Sequence, residues 1–466
     1  MEHTDLDLLF HPRSLAIVGA SPDFTKGGGF IWWRVKEHGY PGRKYPISKR
    51  LAELDGVACH ASVADIDEAP DLVVIAVPAA AAESVMLDCA RRQVRFVVIH
   101  AAGFAELGEE GKVLQHRVIE AARSAGIRVV GPNCMGLCSP SASLNTVVDI
   151  QEADMVPGGV SFCGQSGWAT EHFLAGGSAR GLRFSKVIST GNQADLDLND
   201  YLSYFGHDDR TRVACAYVEG TPRGRAFLEL ASEVSAEKPV VIWKSGFSRA
   251  GAKAALSHSG SLAGDRDVWT GAARSAGIVR ADCFEDLIDL AAAFSSPVLP
   301  KGRKVGIMAE AGGGGIAASD ACEGLGLDVP AFSPELQARL KAYLQDHLPP
   351  FSGLGNPLDL VWMPMDKALT LCRTSLEMIA AEVDAVITMS YMPFFLEEFR
   401  PAYIEMLRQA RDELGLPIFI VPPYTARAAA AMKEFTLAGL PALPSFERAA
   451  KAVWATSGYQ AWASAR

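Results

Sequence analysis

The 466-residue chain lacks most of the marks of export, metal binding and nucleic-acid binding. Its nine cysteines lie far apart with no C-x-x-C pair, so no zinc site and no disulfide framework is expected, and a reducing cytoplasm suits it best. The longest apolar runs, such as Leu72 to Ala82, contain Pro78 and fall well short of the ~20 residues a membrane helix requires. No membrane contact is expected. Met1-Glu2-His3-Thr4-Asp5 is acidic where a signal peptide is basic, with no apolar stretch behind it. Forty-four Lys and Arg stand against 54 Asp and Glu, a net charge of −10, and without a basic run a nucleic-acid partner is disfavoured. What is present is ordinary globular composition, 49% hydrophobic and 21% charged. At roughly 150 residues per domain the length predicts about three domains.

Short β-branched runs recur: Leu15-Ala16-Ile17-Val18, Leu72-Val73-Val74-Ile75, Phe96-Val97-Val98-Ile99, Val129-Val130, Val240-Val241-Ile242-Trp243 and Val305-Gly306-Ile307-Met308. Continuous apolar runs separated by helical stretches predict parallel strands buried on both faces, hence an α/β protein. Turn clusters at Cys138-Ser139-Pro140-Ser141 and at residues 295–302 divide it into domains spanning 1–145, 155–296 and 302–466.

Several strand-to-helix turns carry chemistry. Gly19-Ala20-Ser21 followed by Lys26-Gly27-Gly28-Gly29 can bring backbone N–H groups to a phosphate at a helix start, but it is not G-x-G-x-x-G. A nicotinamide dehydrogenase and an unliganded turn both remain open from spacing. Gly131-Pro132-Asn133-Cys134 follows the Val129-Val130 strand, where open parallel sheets bind ligands, and Cys134 is either a nucleophile or simply packed. Gly164-Gln165-Ser166-Gly167 predicts a second anion-receiving helix start. A Ser166 hydrolase competes there, although the G-x-S-x-G spacing is absent. Residues 245–264 surround His258 with fourteen Ser, Ala or Gly residues out of twenty, which reads as a ligand-shaped loop. Neutral imidazole attacks phosphoryl groups, and Glu219 at a strand end can orient it. Hydrogen bonding of His258 to a substrate is the competing reading. Gly312-Gly313-Gly314-Gly315 before a helix predicts a second phosphate-receiving helix start or a flexible turn, and Asn356-Pro357-Leu358-Asp359 a rigid polar turn whose carboxylate either faces a ligand or makes an Asx turn.

Taken together, these motifs resemble the α subunit of the NDP-forming acyl-CoA synthetases, the ADP-forming acetate–CoA ligase type related to succinyl-CoA synthetase. The resemblance covers nearly the whole chain. It is carried by His11 to Ser14, Gly19 to Ser21, Tyr45-Pro46, Ala102-Gly103-Phe104-Ala105-Glu106, Gly131 to Cys134, Gly164 to Gly167, Ser189-Thr190-Gly191-Asn192, Tyr217 to Gly220, Ser257 to Gly264, Ala311 to Gly315 and Asn356 to Asp359.

It implies three doubly wound parallel-sheet domains: a Rossmann-like CoA-binding domain, then two flavodoxin-like ligase domains. It also implies phosphorylation of His258, supported by Glu219, with the phosphate gripped by Gln165, Ser166 and Gly167 and by Gly313, Gly314 and Gly315. Coenzyme A is expected at Gly19, Ala20, Ser21, Lys26, Arg50, Pro78, Asn133 and Cys134, and no metal ligand is expected on this chain. ATP or ADP with Mg²⁺ is expected on a separate ATP-grasp β subunit, in an assembly such as α2β2, because only seven residues follow Tyr459. The substrate implied is a small carboxylic acid or its acyl-CoA. The sequence departs from the family at Ser259, where Thr is usual, at Arg50 in place of Lys, at the all-glycine Gly312 to Gly315, and at Trp32-Trp33, which either shape a channel or pack. A noncatalytic CoA-binding regulator of the same fold is the alternative.

Overall fold

The computed structural model describes residues 6–147, 150–221, 223–253 and 264–466. They form two compact units, Met1–Ser178 with Arg183–Phe284 and Ala179–Leu182 with Glu285–Arg466.

The first unit holds two main sheets. One comprises β1 (Ser14–Val18), β2 (Arg43–Ile47), β5 (Leu72–Ile75), β6 (Phe96–Ile99) and β7 (Arg128–Val130), with a small ribbon of β3 (Glu53–Leu54) and β4 (Val57–Ala58). Its order is β2-β1-β5-β6-β7 and every pairing is parallel. β1, β5 and β6 are buried along their whole length, which is why their sequences run apolar without alternation.

The other sheet contains β8 (Leu137–Ser139), β9 (Leu144–Asn145), β10 (Val160–Gly164), β11 (Phe184–Ser189), β12 (Val213–Val218), β13 (Val240–Lys244) and β14 (Val279–Ala281), in the order β14-β13-β12-β10-β11-β8-β9. Its five-strand parallel body carries the antiparallel hairpin β8–β9 on β11. The Cys138 to Ser141 turn cluster is therefore part of a hairpin whose tip closes at Ser143 with φ of 51°. One apolar cluster runs from Leu15, Trp32 and Val74 of the first sheet layer to Tyr201, Phe205 and Ile242 of the second. Each fully buried side chain of this kind contributes about 1.5–3 kcal/mol, so the shared cluster makes the two sheets one unit.

The second unit is built on β15 (Val305–Ala309), β16 (Leu358–Asp359), β17 (Ala385–Met389) and β18 (Ile418–Ile420), all parallel in the order β16-β15-β17-β18. Ile307, Ile387 and Phe419 face Ala318 and Val453 of two helices on one side, while Met308, Val386 and Ile418 face Leu371, Leu376 and Leu407 on the other. Gly312 to Gly315 do not precede a helix but form the opening turn of one, Gly312–Gly324. Gly27 to Gly29 likewise open the helix Gly27–Glu37. Among the described residues no helix is long and apolar enough to cross a membrane.

Candidate functional site

Parallel strands bring distant sequence positions to one edge. Gly19, Ala20 and Ser21 follow β1, Arg50 lies three residues beyond β2, Pro78 follows β5, and Asn133 and Cys134 follow β7. All of these candidates thus stand at the C-terminal edge of the first sheet, the ligand-binding edge of open α/β sheets. Gly19 has φ of 93°, and a Cβ there would lie 2.8 Å from the Ala76 carbonyl oxygen. Only glycine allows β1 to turn so close to the neighbouring strand. Lys26 and Arg50 are exposed cations on this edge, Lys26 paired with Asp23 at 3.2 Å.

At the same edge the two sheets enclose a cavity of about 240 Å³ lined by His100, Asn133, Cys134, Met135, Gln165, Ser166, Gly167, Trp168, Gly191 and Asn192. Two loops clasp each other around it. Asn192 N–H donates to the Pro132 carbonyl at 2.9 Å and Ala194 N–H to that of Gly131 at 3.0 Å. The Asn192 amide donates to Glu106 at 2.7 Å and to Gln115 at 3.0 Å. Glu106 also accepts from the Gly103 and Phe104 amides. Burial pushes the Glu106 carboxyl up, but these hydrogen bonds outweigh it and hold the group below its ordinary range. Gly191 sits at φ of 54°, where a Cβ would lie 2.2 Å from the Pro132 oxygen.

The helix Gly167–Ala179 starts in this cavity. Ser166 is consumed as its cap: the hydroxyl accepts from Ala169 N–H at 3.3 Å and the carbonyl from Thr170 N–H at 3.0 Å. A cap is no activated nucleophile, which removes the geometric basis for a Ser166 hydrolase. The amides of Gly167 and Trp168 have no acceptor among the described residues, so they present the positive end of the helix to the cavity. Gln165 turns away to brace the next strand. Its Nε2 donates to the Gly220 carbonyl at 2.6 Å, and its Oε1 accepts from the amides of Glu219 and Gly220. That brace places Glu219, which is 6% exposed and whose carboxylate accepts from the Tyr217 hydroxyl at 3.4 Å. Lys244 donates to the Glu219 carbonyl at 2.7 Å, and burial lowers its ammonium pKa. The chain from 254 to 263, including His258 and Ser259, lies outside the described residues.

Cys134 is buried, its thiol donating to the Ile99 carbonyl at 3.4 Å, and burial pushes its pKa up to about 12. It is a packed thiol at neutral pH rather than a nucleophile. Trp32 is packed as well, its indole N–H donating to Asp55 at 2.9 Å. Trp33, 39% exposed, stacks at an angle on Phe24 and Phe30.

In the second unit, Gly314 and Gly315 donate to the Ala311 carbonyl, and the open amides at the helix start are those of Gly312 and Gly313. A Cβ on Gly314 would lie 2.9 Å from Met389 Cε, and one on Gly315 2.9 Å from Pro357 Cβ, whereas Gly313 faces open space. Asn356 ties its turn to β15 by accepting from Ile307 N–H and donating to the Val305 carbonyl, both at 2.9 Å. Asp359 accepts from Val361 N–H at 3.1 Å, an Asx turn.

Sequence reasoning missed His100, Met135 and Trp168 as cavity residues. The positional signal for His100 was available, since it follows β6 directly at the ligand edge of a parallel sheet. Met135 and Trp168 had no such signal beyond their nearness to glycine turns.

Comparison with known proteins shows the family. A family model described as CoA binding domain matches residues 13–140, and one described as succinyl-CoA ligase like flavodoxin domain matches residues 157–294. The α subunit of acetate–CoA ligase (ADP-forming) I from Pyrococcus furiosus is 34% identical over 462 residues, covering 98% of each chain. The α subunit of isoenzyme II from the same organism is 36% identical over 357 residues, 76% of each chain. A solved structure of acetyl-coenzyme A synthetase 1 from Ca. Korarchaeum cryptofilum, in complex with phosphate and ADP, superposes with a TM-score of 0.85 at 30% identity, covering 99% of this chain and 98% of that one.

Proposed function

Because the chain belongs to the family of ADP-forming acetate–CoA ligase α subunits, we propose that His258 and the helix start at Gly167 serve a phosphoryl relay within an acid–thiol ligase, and that the helix start at Gly312 and Gly313 is a further phosphate contact of the chain. The chain is the CoA-binding subunit of such an enzyme, which interconverts acyl-CoA, ADP and phosphate with a carboxylic acid, ATP and CoA. The observation that carries the reading is the meeting, in one cavity, of the first sheet's ligand edge with the open amides of Gly167 and Trp168. A thiol-bearing ligand on that edge and a phosphate on that helix start would be neighbours. The domain boundaries in this reading are 1–145, 155–296 and 302–466, with the β8–β9 hairpin at the end of the first pairing into the second sheet.

The exposed Lys26 and Arg50, the close-turning Gly19 and the following Ala20 and Ser21 fit the phosphates of CoA, with Pro78, Asn133 and Cys134 toward its reactive end. Gln165 positions Glu219 by holding its backbone, and Glu219 is assigned to orient His258. A helix start carries about half a positive charge, and phosphoryl transfer depends on positioning and charge stabilisation, so Gly167 and Gly313 are the chief phosphate contacts in this reading. Ser166 supports the first of these as a cap, and Gly314 and Gly315 support the second by close packing. Among the described residues no three His, Cys, Asp or Glu side chains converge as metal ligands, and no residue is assigned to Mg²⁺. The ion belongs with the nucleotide on an ATP-grasp β subunit, in an α2β2 or similar assembly. The nine free cysteines suit a cytoplasmic setting.

The test is phosphate incorporation from labelled ATP in the presence of the partner subunit. Wild-type chain is expected to gain an acid-labile, alkali-stable phosphoryl group, His258→Ala none, and Glu219→Gln the same group more slowly. Labelling of His258→Ala at the wild-type level would sink the phosphohistidine assignment. Steady ADP formation by the chain without a second polypeptide would sink the partner assignment.

A further inference from the structure

One side chain in the cavity has no part in the relay. His100 follows β6 and lines the cavity half-buried, and its ring makes no hydrogen bond to another described residue; partial burial lowers its pKa from the ordinary imidazole value. A half-buried imidazole that lines a cavity and has no protein partner is placed to meet a ligand there. The other polar side chains lining the cavity, those of Asn133, Gln165, Ser166 and Asn192, do not titrate near neutrality, and Cys134 keeps its proton. The start of the helix Gly27–Glu37 abuts the ring, since a Cβ on Gly27 would lie 3.7 Å from His100 Nδ1. That helix end disfavours the imidazolium and favours the neutral, basic ring. The charged groups on neighbouring elements are otherwise engaged, Lys26 with Asp23 and Glu106 with Asn192.

We propose that His100 is the general base that takes the thiol proton of CoA during thioester formation, an inference that rests on the ligase reading above. Its place suits the role. It stands on the sheet edge assigned to CoA and in the same cavity as the helix start assigned to phosphate, and thus at the junction where sulfur meets an acyl phosphate. The sulfur–carbon bond forms as the carbon–oxygen bond to phosphate breaks, the S–H proton passes to a ring nitrogen of His100, and phosphate leaves with the electron pair of the broken bond. The imidazolium then releases its proton to water. In reverse, it returns that proton to the departing sulfur. A thiol with an ordinary pKa near 8.5 is mostly protonated at neutrality, so a positioned base is of direct use.

The experiment uses the assembled enzyme and measures two half reactions separately: chain phosphorylation by labelled ATP, and thioester formation from acetyl phosphate and CoA. For His100→Asn, thioester formation at pH 7 is expected to fall about 10²–10⁴-fold, while phosphorylation stays within twofold of wild type. The acid limb of the wild-type rate profile, set by protonation of His100 below the ordinary imidazole range, should vanish in the variant, whose rate should instead climb with pH as thiolate forms. His100→Ala should recover thioester formation when imidazole is added. A His100→Asn enzyme that keeps the wild-type rate and acid limb would overturn the proposal, and so would equal loss of both half reactions in His100→Asn and His100→Gln. If the wild-type enzyme itself neither takes up phosphate nor forms thioester, the ligase reading fails first.

Discussion

The two units solve the same local problem with different chemistry. In each, the side chain just beyond a central strand reaches across to the end of the adjacent parallel strand and fastens its backbone. Gln165, after β10, holds Glu219 and Gly220 after β12; Glu310, after β15, accepts from Tyr391 N–H at 2.7 Å and from the Ser390 hydroxyl after β17. The amide both donates and accepts, so Gln165 satisfies two N–H groups and one carbonyl. The carboxyl only accepts, and burial raises its pKa. The difference teaches what each brace is for. The neutral clamp places a glutamate without adding a second charge beside it, while the clamp of the second unit carries the acidic group itself. Around these braces the first unit encloses its helix start in a cavity, and the second leaves Gly312 and Gly313 exposed.

The largest effect that separates the units is expected at Gly191. In Gly191→Ala a left-handed backbone costs about 1–2 kcal/mol, and the Cβ would press on a backbone oxygen that cannot step aside, adding about 1–3 kcal/mol as an overpacking change does. Denaturant unfolding followed by Trp fluorescence should show a loss of about 3 kcal/mol. An unchanged midpoint would mean that the clasp between the 131–135 and 189–194 loops does not hold the cavity together.

Next in size is the brace itself. Gln165→Ala leaves the buried amides of Glu219 and Gly220 and the Gly220 carbonyl without their partner, a loss of about 1–3 kcal/mol, and it frees Glu219 to move. Glu310→Gln keeps an acceptor for Tyr391 N–H and should cost less than about 1 kcal/mol. If thermal melts show the two variants equally destabilised, the contrast between a two-way and a one-way brace is wrong.

How far the sequence reveals this comparison depends on which feature is asked for. The strands and the order of the glycine turns were legible because burial on both faces leaves uninterrupted apolar runs at β1, β5 and β6, and because only glycine tolerates the turn at Gly19 beside Ala76. The braces were not legible. Gln165 stood inside a quoted motif, yet nothing local says that its amide points at Glu219, 54 residues away. Gly312 to Gly315 were legible as a helix start from their place after β15, but not that contacts with Met389 and Pro357 require small residues at Gly314 and Gly315 within the helix itself. His100 needed only the rule that strand ends at a parallel sheet's C-terminal edge face the ligand.

The smallest effect is the most discriminating, because stability and activity should move in opposite directions. Gly313 lies in the first helical turn with nothing within 4 Å of an added Cβ. Alanine there restricts the unfolded chain and favours the helix, so Gly313→Ala should stabilise the second unit by about 0.5–1 kcal/mol. If the open amides of Gly312 and Gly313 receive phosphate, the new methyl group occupies the approach to them, and phosphate uptake by the chain with its partner should slow although the fold is firmer. Gly313 would then be glycine for the sake of the ligand, just as Gly191 is glycine for the sake of the fold. A variant that melts higher and takes up phosphate at the wild-type rate would show instead that this helix start is only a turn, leaving the cavity of the first unit as the phosphate-receiving helix start among the described residues.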